Sequence, residues 1–467
     1  MKYIVSLLLI SFSMICSAQV KGNKPQTLSL DDCFKIASQK NPDIKLNQFR
    51  TSAANADLKN AYWNYFPSVD FGMNYRRTLS NSSSGGTGGT YKVDTTLSPE
   101  LRTLLPMIMN NLLKNPYSSV SENNYTMQAS ANWLLFDGLN RDANYTRSQD
   151  NFKAIQKSNE YIEKSVKITI LRQYIDVVKN LQIIQARKDN LELANKQLER
   201  INAQHNAGII TIADVYSQEA EVGNNELMMV QAENDLNIAK ANLLTTLGMN
   251  SDQPVDFLST SIPTSVNSNE IKQFRDLIGD LESSLKNAFG SRSDYSSNDF
   301  AIKAAESGIK SAKSTFYPRL SANGTWYWAN SKFSDFQNNG NTYFGLQLSI
   351  PIFSNFNTNL QFENASLQYN QKLIEKTQLE QTIRNSIQTS YLNLEAAEKQ
   401  IEISNRVLKS SNLNYDAMKE KFNIGAASIT ELHIAANQLV TSKINNIKAI
   451  YNYVQAQNEL LFASGRL

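Results

Sequence analysis

The chain has 467 residues, a length that suggests about three domains at ~150 residues each. Its 46 Lys and Arg against 43 Asp and Glu leave a formal charge of +3, which excludes the concentrated positive field of a dedicated nucleic-acid binder. Two cysteines exclude a disulfide scaffold, and two histidines, His205 and His433, exclude a His-rich metal site. Charged residues make up only 19% while mean hydropathy is −0.40, so Asn, Gln, Ser and Thr carry the polarity. That balance suits a surface that meets water on one side and an apolar medium on the other.

Residues 1–18 read as an export signal. Lys2 gives the charged start, Ile4 to Ile15 the apolar core, and Cys16-Ser17-Ala18 a small-residue cleavage site, with Gln19 as the expected mature terminus. The stretch is too short for a membrane-crossing helix, and no later segment supplies the ~18 consecutive apolar residues that one needs. An acylated Cys16 is a competing reading, disfavoured by the bulky Ile15 before it. Cys33 reads as a small buried apolar residue.

The rest is a duplicated unit. Leu30–Lys35 aligns with Leu281–Lys286, and Tyr65-Phe66-Pro67 with Phe316-Tyr317-Pro318, both at an offset of 251. Leu135-Phe136-Asp137-Gly138 aligns with Ile352-Phe353-Ser354-Asn355, and Gly208 with Gly425, at an offset of 217. The offsets differ by one insertion of 34 residues, placed at the Ser/Gly-rich loop 80–90. Residues 19–250 therefore form the first repeat, 251–280 a connector and 281–467 the second repeat. Each repeat is expected to hold a helix (41–65 and 292–315), two strands and a long helical hairpin (140–249 and 356–463).

The expected strands are 66–76, 125–136, 318–328 and 342–353. Val69, Phe71, Met73 and Tyr75 alternate with Ser68, Asp70, Gly72 and Asn74, and the other three segments alternate in the same way. Alternation at period 2 gives one apolar face and one polar face. About 9–11 residues suffice for a tilted strand to cross hydrocarbon. Four strands cannot close a barrel, and an open edge is not tolerated in lipid. Copies must pool their strands, and three copies give twelve.

Residues 140–206 contain neither Pro nor Gly, enough for ~100 Å of helix at ~1.5 Å per residue. Ile170, Val177, Ile184, Leu191 and Leu198 recur every seven residues, as do Ile387, Leu394, Ile401, Leu408 and Tyr415 in the second repeat. The returning helices keep that spacing from Val215 to Leu243 and from Leu432 to Leu460, the mark of coiled-coil seams. Gly208 and Gly425 fit the reversals between helices. Thr211 with Asp214, and Ser428 with Glu431, have capping-box spacing. Asp214 and Glu431 are thus either helix caps or, in several copies, an acidic ring at a pore mouth that favours cations.

These features together resemble the TolC-like outer-membrane efflux and secretion proteins over essentially the whole chain past the signal. The resemblance rests on Leu30…Ala37…Asn41-Pro42-Asp43, the two aromatic–Pro approaches to strands, Leu135–Gly138, and the tips Asn206–Val215 and Asn423–Leu432. It implies a fold mainly of α-helix with membrane β-strands: a homotrimer with a 12-stranded β-barrel in the outer membrane and an α-helical barrel in the periplasm. It implies as partners outer-membrane lipid, a periplasmic adaptor and an inner-membrane transporter. Gly208, Ile209, Ile210 and Thr211, with Gly425, Ala426, Ala427 and Ser428, would meet the adaptor, and Asp214 and Glu431 would line the periplasmic gate. Ala427 and Ile434 stand where the family often carries an Arg and an acid, so its usual gate salt bridges are not expected here.

No phosphate-binding, zinc-protease or nucleophile-elbow motif occurs. Neither catalysis nor a bound cofactor or metal is expected, and no nucleic acid. The function so read is a passive exit duct of a tripartite efflux pump or type I secretion system. The competing reading is a trimeric coiled-coil adhesive or structural protein with a membrane anchor.

Overall fold

A computed structural model describes residues 26–79, 96–112, 121–336 and 340–467. The expected export signal, with Cys16, and the loop at 80–90 lie outside the described residues.

Strand β1 (Gln26–Leu28) leads into α1 (Leu30–Lys40) and α2 (Pro42–Trp63). Ser29 caps α1 in a reciprocal pair with Asp32. The helix expected at 41–65 is α2, and α1 is a further helix before it; Asn41 between them is extended (φ −58°, ψ 127°). Pro42 disfavours helix in the residue before it and is itself at home in a first turn. Next come β2 (Ser68–Leu79), α3 (Pro99–Leu112) and β3 (Ser121–Phe136). Helix α4 (Asn140–Asn206) and the returning α5 (Ile212–Thr246) complete the first hairpin.

The connector is structured. It holds β4 (Val255–Phe257), a 3-10 turn at Ser259–Ser261 and α6 (Ser268–Ile278). β4 pairs in parallel with β1, Leu28 facing Phe257. The second half follows as α7 (Leu281–Ser291), α8 (Ser293–Ser314), β5 (Arg319–Asn330), β6 (Asn341–Ser349), α9 (Asn357–Asn423) and α10 (Ile429–Ala463).

The duplication is visible in the lengths. Helices α1 and α7 have 11 residues, α2 and α8 22, α4 and α9 67, and α5 and α10 35. The second strands differ, 16 residues in β3 against 9 in β6. β6 ends at Ser349, short of the expected 353, and Pro351 soon after has no N–H to give a ladder.

Two compact units are present. One comprises residues up to Ala56, Asp150–Lys303 and Asn370–Leu467. Its core is built on the seven-residue seams. Ile170, Tyr174 and Val177 of α4 pack with Leu28, Cys33, Leu243 and Phe257, and Ile387 and Leu394 of α9 pack with Ile278, Ala288, Tyr453 and Leu460. Burial pushes the Cys33 thiol up to about 12, the behaviour of an inert core residue. The Tyr174 hydroxyl donates to Leu258 O at 2.7 Å, tying the long helix to the connector.

The other unit comprises Asp57–Gln149 and Ala304–Tyr369. It contains one antiparallel sheet in the order β2-β3-β5-β6. The register puts Val69, Ala131, Gly324 and Phe344 in one row and Asp70, Ser130, Thr325 and Tyr343 in the next. Adjacent rows point to opposite faces. At the foot of the sheet Trp133 Nε1 donates to Tyr65 O at 3.0 Å, and Tyr65 OH donates to Asp142 at 2.7 Å. Gly138 there has φ +68°, and a Cβ on it would lie 2.7 Å from Tyr317 Cβ. The Leu-Phe-Asp-Gly exit of one repeat and the Phe-Tyr-Pro approach of the other thus fit together.

Candidate functional site

Two places matter: the sheet and the hairpin tips. On the sheet, Val69, Phe71, Met73, Phe344, Leu346 and Leu348 are all exposed, Phe344 to 87%. A soluble protein does not leave such a band uncovered. The opposite face carries Ser68, Asp70, Gly72, Asn74, Gln128, Asn323 and Gln347. β2 and β6 each have one paired neighbour, so the sheet has two open edges among the described residues. Leaving those backbone groups unpaired inside a bilayer would cost several kcal/mol each.

Each tip is built from a helix stop and a helix start. In the first, Gly208 has φ +76°; its N–H donates to His205 O, and the N–H of Ile209 to Gln204 O. In the second, Gly425 also has φ +76°, with N–H donors from Gly425 to Phe422 O and from Ala426 to Lys421 O. This doubled bonding of the last carbonyls is a Schellman stop. A Cβ on either glycine would meet nothing within 4 Å, so the backbone angle alone calls for glycine.

The starts are capping boxes. Asp214 accepts from Thr211 N at 3.0 Å and Thr211 Oγ1 at 2.7 Å. Glu431 accepts from Ser428 N at 2.8 Å and Ser428 Oγ at 2.9 Å. The Ser428 N–H, with its hydroxyl, holds the Glu431 carboxyl below the usual range. Both carboxyls sit at the first turns of α5 and α10, beside the positive ends of those helices. A cap does not prevent a carboxylate from also facing a mouth.

An apolar knot joins the tips: Ile201 and Val215 of the first hairpin pack with Ile429 of the second, with Ile210 and Phe422 against them. Ile210 is therefore a packing residue, whereas Ile209 and Ile424 are more than 70% exposed. Gly208, Thr211, Gly425, Ala426 and Ser428 are exposed, and Ala427 is half-buried.

A polar layer under the knot escapes the sequence reading. Gln218 of α5, buried, donates to Ala194 O of α4 at 2.9 Å, and its Oε1 lies 2.7 Å from His433 Nε2 of α10. The imidazole donates there, since an amide oxygen only accepts. Burial holds the His433 pKa below its ordinary value, with Glu221 opposing. Asn190 and Asn225 pair at 2.7 Å beside a cavity of about 30 Å³. The signal was present: Gln218 and Asn225 alternate with Val215 and Val222 at 3–4 spacing, where a seam wants apolar side chains.

Comparison with known proteins places these features. A family model described as Outer membrane efflux protein matches residues 34–249 and 285–466. Outer membrane efflux protein BepC of Brucella suis biovar 1 (strain 1330) is 23% identical over 343 residues, 73% of this chain and 72% of that protein. Outer membrane protein TolC of Escherichia coli (strain K12) is 24% identical over 305 residues, 63% and 60% of the two chains. A solved structure of CusC, studied for folding and transmembrane channel formation, superposes with a TM-score of 0.74 at 15% identity, covering 97% of this chain and 96% of its own.

Proposed function

The chain belongs to the outer membrane efflux protein family, and from that premise we propose that it works as a homotrimer, the passive exit duct of a tripartite efflux pump or type I secretion system. Membership makes it an outer-membrane channel protein with a periplasmic helical part, not an enzyme. The trimer, its partners and the gate are the proposal.

The observation that carries the trimer is the open sheet. All neighbouring strands are antiparallel, so β6 of one copy can pair with β2 of the next without breaking the pattern. Three copies close twelve strands, with the apolar face to lipid and the polar face around a lumen. The helices support the same reading. Tyr216, Leu227, Val230 and Ile238 of α5, and Leu392, Ile403 and Leu413 of α9, are exposed apolar residues on long helices. They offer a lateral seam to a neighbouring copy.

The exposed tips, with Ile209 and Ile424 outermost, would receive a periplasmic adaptor, and an inner-membrane transporter would supply the energy. Asp214 and Glu431, three of each in a trimer, would favour cations at the closed mouth. Planar-bilayer recording tests the duct. Wild-type protein should conduct, and Asp214→Ala with Glu431→Ala should lower cation preference. Absence of conductance would contradict the duct, and unchanged selectivity would remove the two acids from the gate.

A further inference from the structure

Helix α3 occupies the insertion that distinguishes the first repeat from the second. It presents Leu101, Leu104, Leu105 and Ile108 at spacings of three, four and seven, one stripe on a helical surface. Leu101, Leu104 and Ile108 are 47%, 55% and 48% exposed. Thr103 lies on the opposite side. Glu100 and Arg102 are its only charged residues.

In water such a helix has little to hold it. It has 14 residues and an internal proline, Pro106. Isolated helices of ~12–15 residues are marginal even without a proline, which removes a bond and crowds the turn before it. An apolar surface must cover the stripe for the helix to persist.

Its tether restricts which surface that is. α3 lies between β2, which follows helix α2, and β3, which precedes helix α4. With the helical part in the periplasm, the β2–β3 connection leaves the membrane on the outer side. The nine residue-to-residue steps from Leu112 to Ser121 span at most ~31 Å at ~3.4 Å each. The sheet ends there in an aromatic group: Tyr75 and Tyr125 lie 4.9 Å apart between ring centres, Tyr125 and Phe333 5.8 Å, and Trp328 and Phe336 5.5 Å. Arg76 and Arg77 follow Tyr75 in β2. Aromatic rings and then cations at a strand end mark the headgroup level of a bilayer.

We infer that α3 is an interfacial helix, lying in the outer leaflet beside the barrel with Leu101, Leu104, Leu105 and Ile108 in the boundary between headgroups and acyl chains. An amphipathic helix of low charge binds a lipid surface through its apolar stripe. It would anchor the β2–β3 connection and widen the footprint of one repeat at the cell surface. The inference rests on the outer-membrane location and is independent of the number of copies.

Fluorescence quenching tests it on the full chain, reconstituted in vesicles of phosphatidylethanolamine and phosphatidylglycerol. A fluorophore is placed in turn at Ile108→Cys, Thr103→Cys and Phe344→Cys, with the parent chain as labelling background. Nitroxides on the acyl chains should quench Ile108 several-fold more than Thr103, and should quench Phe344 of the sheet. Quenching at Phe344 together with an Ile108 probe reached only by aqueous iodide would overturn the inference while leaving the barrel intact. Pyrene excimers at Ile108 without lipid quenching would place copies of α3 against one another and equally overturn it. An unquenched Phe344 would remove the membrane face itself, and the inference with it.

Discussion

Asn41 and Arg292 hold the same place in the two repeats, between an 11-residue helix and a 22-residue helix. Each reaches the end of its own returning helix: Asn41 Nδ2 donates to Thr246 O at 2.7 Å, and Arg292 Nη1 to Ala463 O at 2.9 Å. Their surroundings differ. Asn41 is neutral and also accepts from the N–H groups of Asp43 and Ile44, capping α2. Arg292 is a buried cation, paired with Asp294 at 2.7 Å and set over the Tyr161 ring. Duplication has kept the position of the clamp and let its chemistry diverge. A clamp of either kind works because it satisfies a carbonyl at a helix end.

The difference predicts unequal mutational costs. Arg292→Ala leaves the Asp294 charge in a half-closed site and should cost about 3–5 kcal/mol, as when one partner of a buried pair is removed. Asn41→Ala loses a cap and one bond, about 1–2 kcal/mol. Thermal unfolding of the detergent-solubilised variants, followed by circular dichroism, checks the order; equal losses would erase the distinction.

The glycines beside the clamps sharpen it. Gly248 and Gly465 both have positive φ. A Cβ on Gly248 would come 2.5 Å from the Lys40 carbonyl oxygen, whereas on Gly465 it would come 2.5 Å from the Ser291 hydroxyl, which can rotate away. Gly248→Ala should cost about 2–3 kcal/mol and Gly465→Ala about 1–2 kcal/mol. At the tips, where space is open, Gly208→Ala and Gly425→Ala should each cost ~1 kcal/mol from the backbone alone. A large loss at a tip would reveal a contact that the single chain lacks.

The smallest effect concerns pH and the polar link between Gln218 and His433 near the tips. The repeat partner of His433 is Tyr216, which is 62% exposed, so the link exists once and not twice. The His433 pKa is depressed by burial. Its contribution is complete above the ordinary histidine value of about 6.5 and declines as pH falls towards the depressed value. His433→Gln keeps a donor for Gln218 and cannot titrate. Wild-type protein should lose more thermal stability than His433→Gln between pH 7.5 and 5.5; parallel losses would exclude His433 as the titrating group.

Local pattern made much of this legible. Alternation along Val69–Tyr75 marked a strand, the seven-residue spacing from Ile170 to Leu198 marked a long seam, and Gly208 with Thr211 and Asp214 marked a tip. Each of those signals is carried by residues no more than seven positions apart. The features that stayed hidden join distant residues. β1 and β4 are three residues each and meet across most of a repeat. Asn41 finds Thr246 across 205 positions, and although Pro42 marks Asn41 as a helix boundary, nothing in the flanking sequence names Thr246 as its partner. α3 was hidden for another reason: its apolar stripe lies within an insertion whose nearest cue, the Ser/Gly run at 80–90, reads as loop.

Among the described residues the sheet has two open edges, and counting copies tests most directly how they close. Native mass spectrometry of the full chain, extracted intact from membranes, should give a complex of three subunits. A single subunit that inserts and conducts by itself would contradict it.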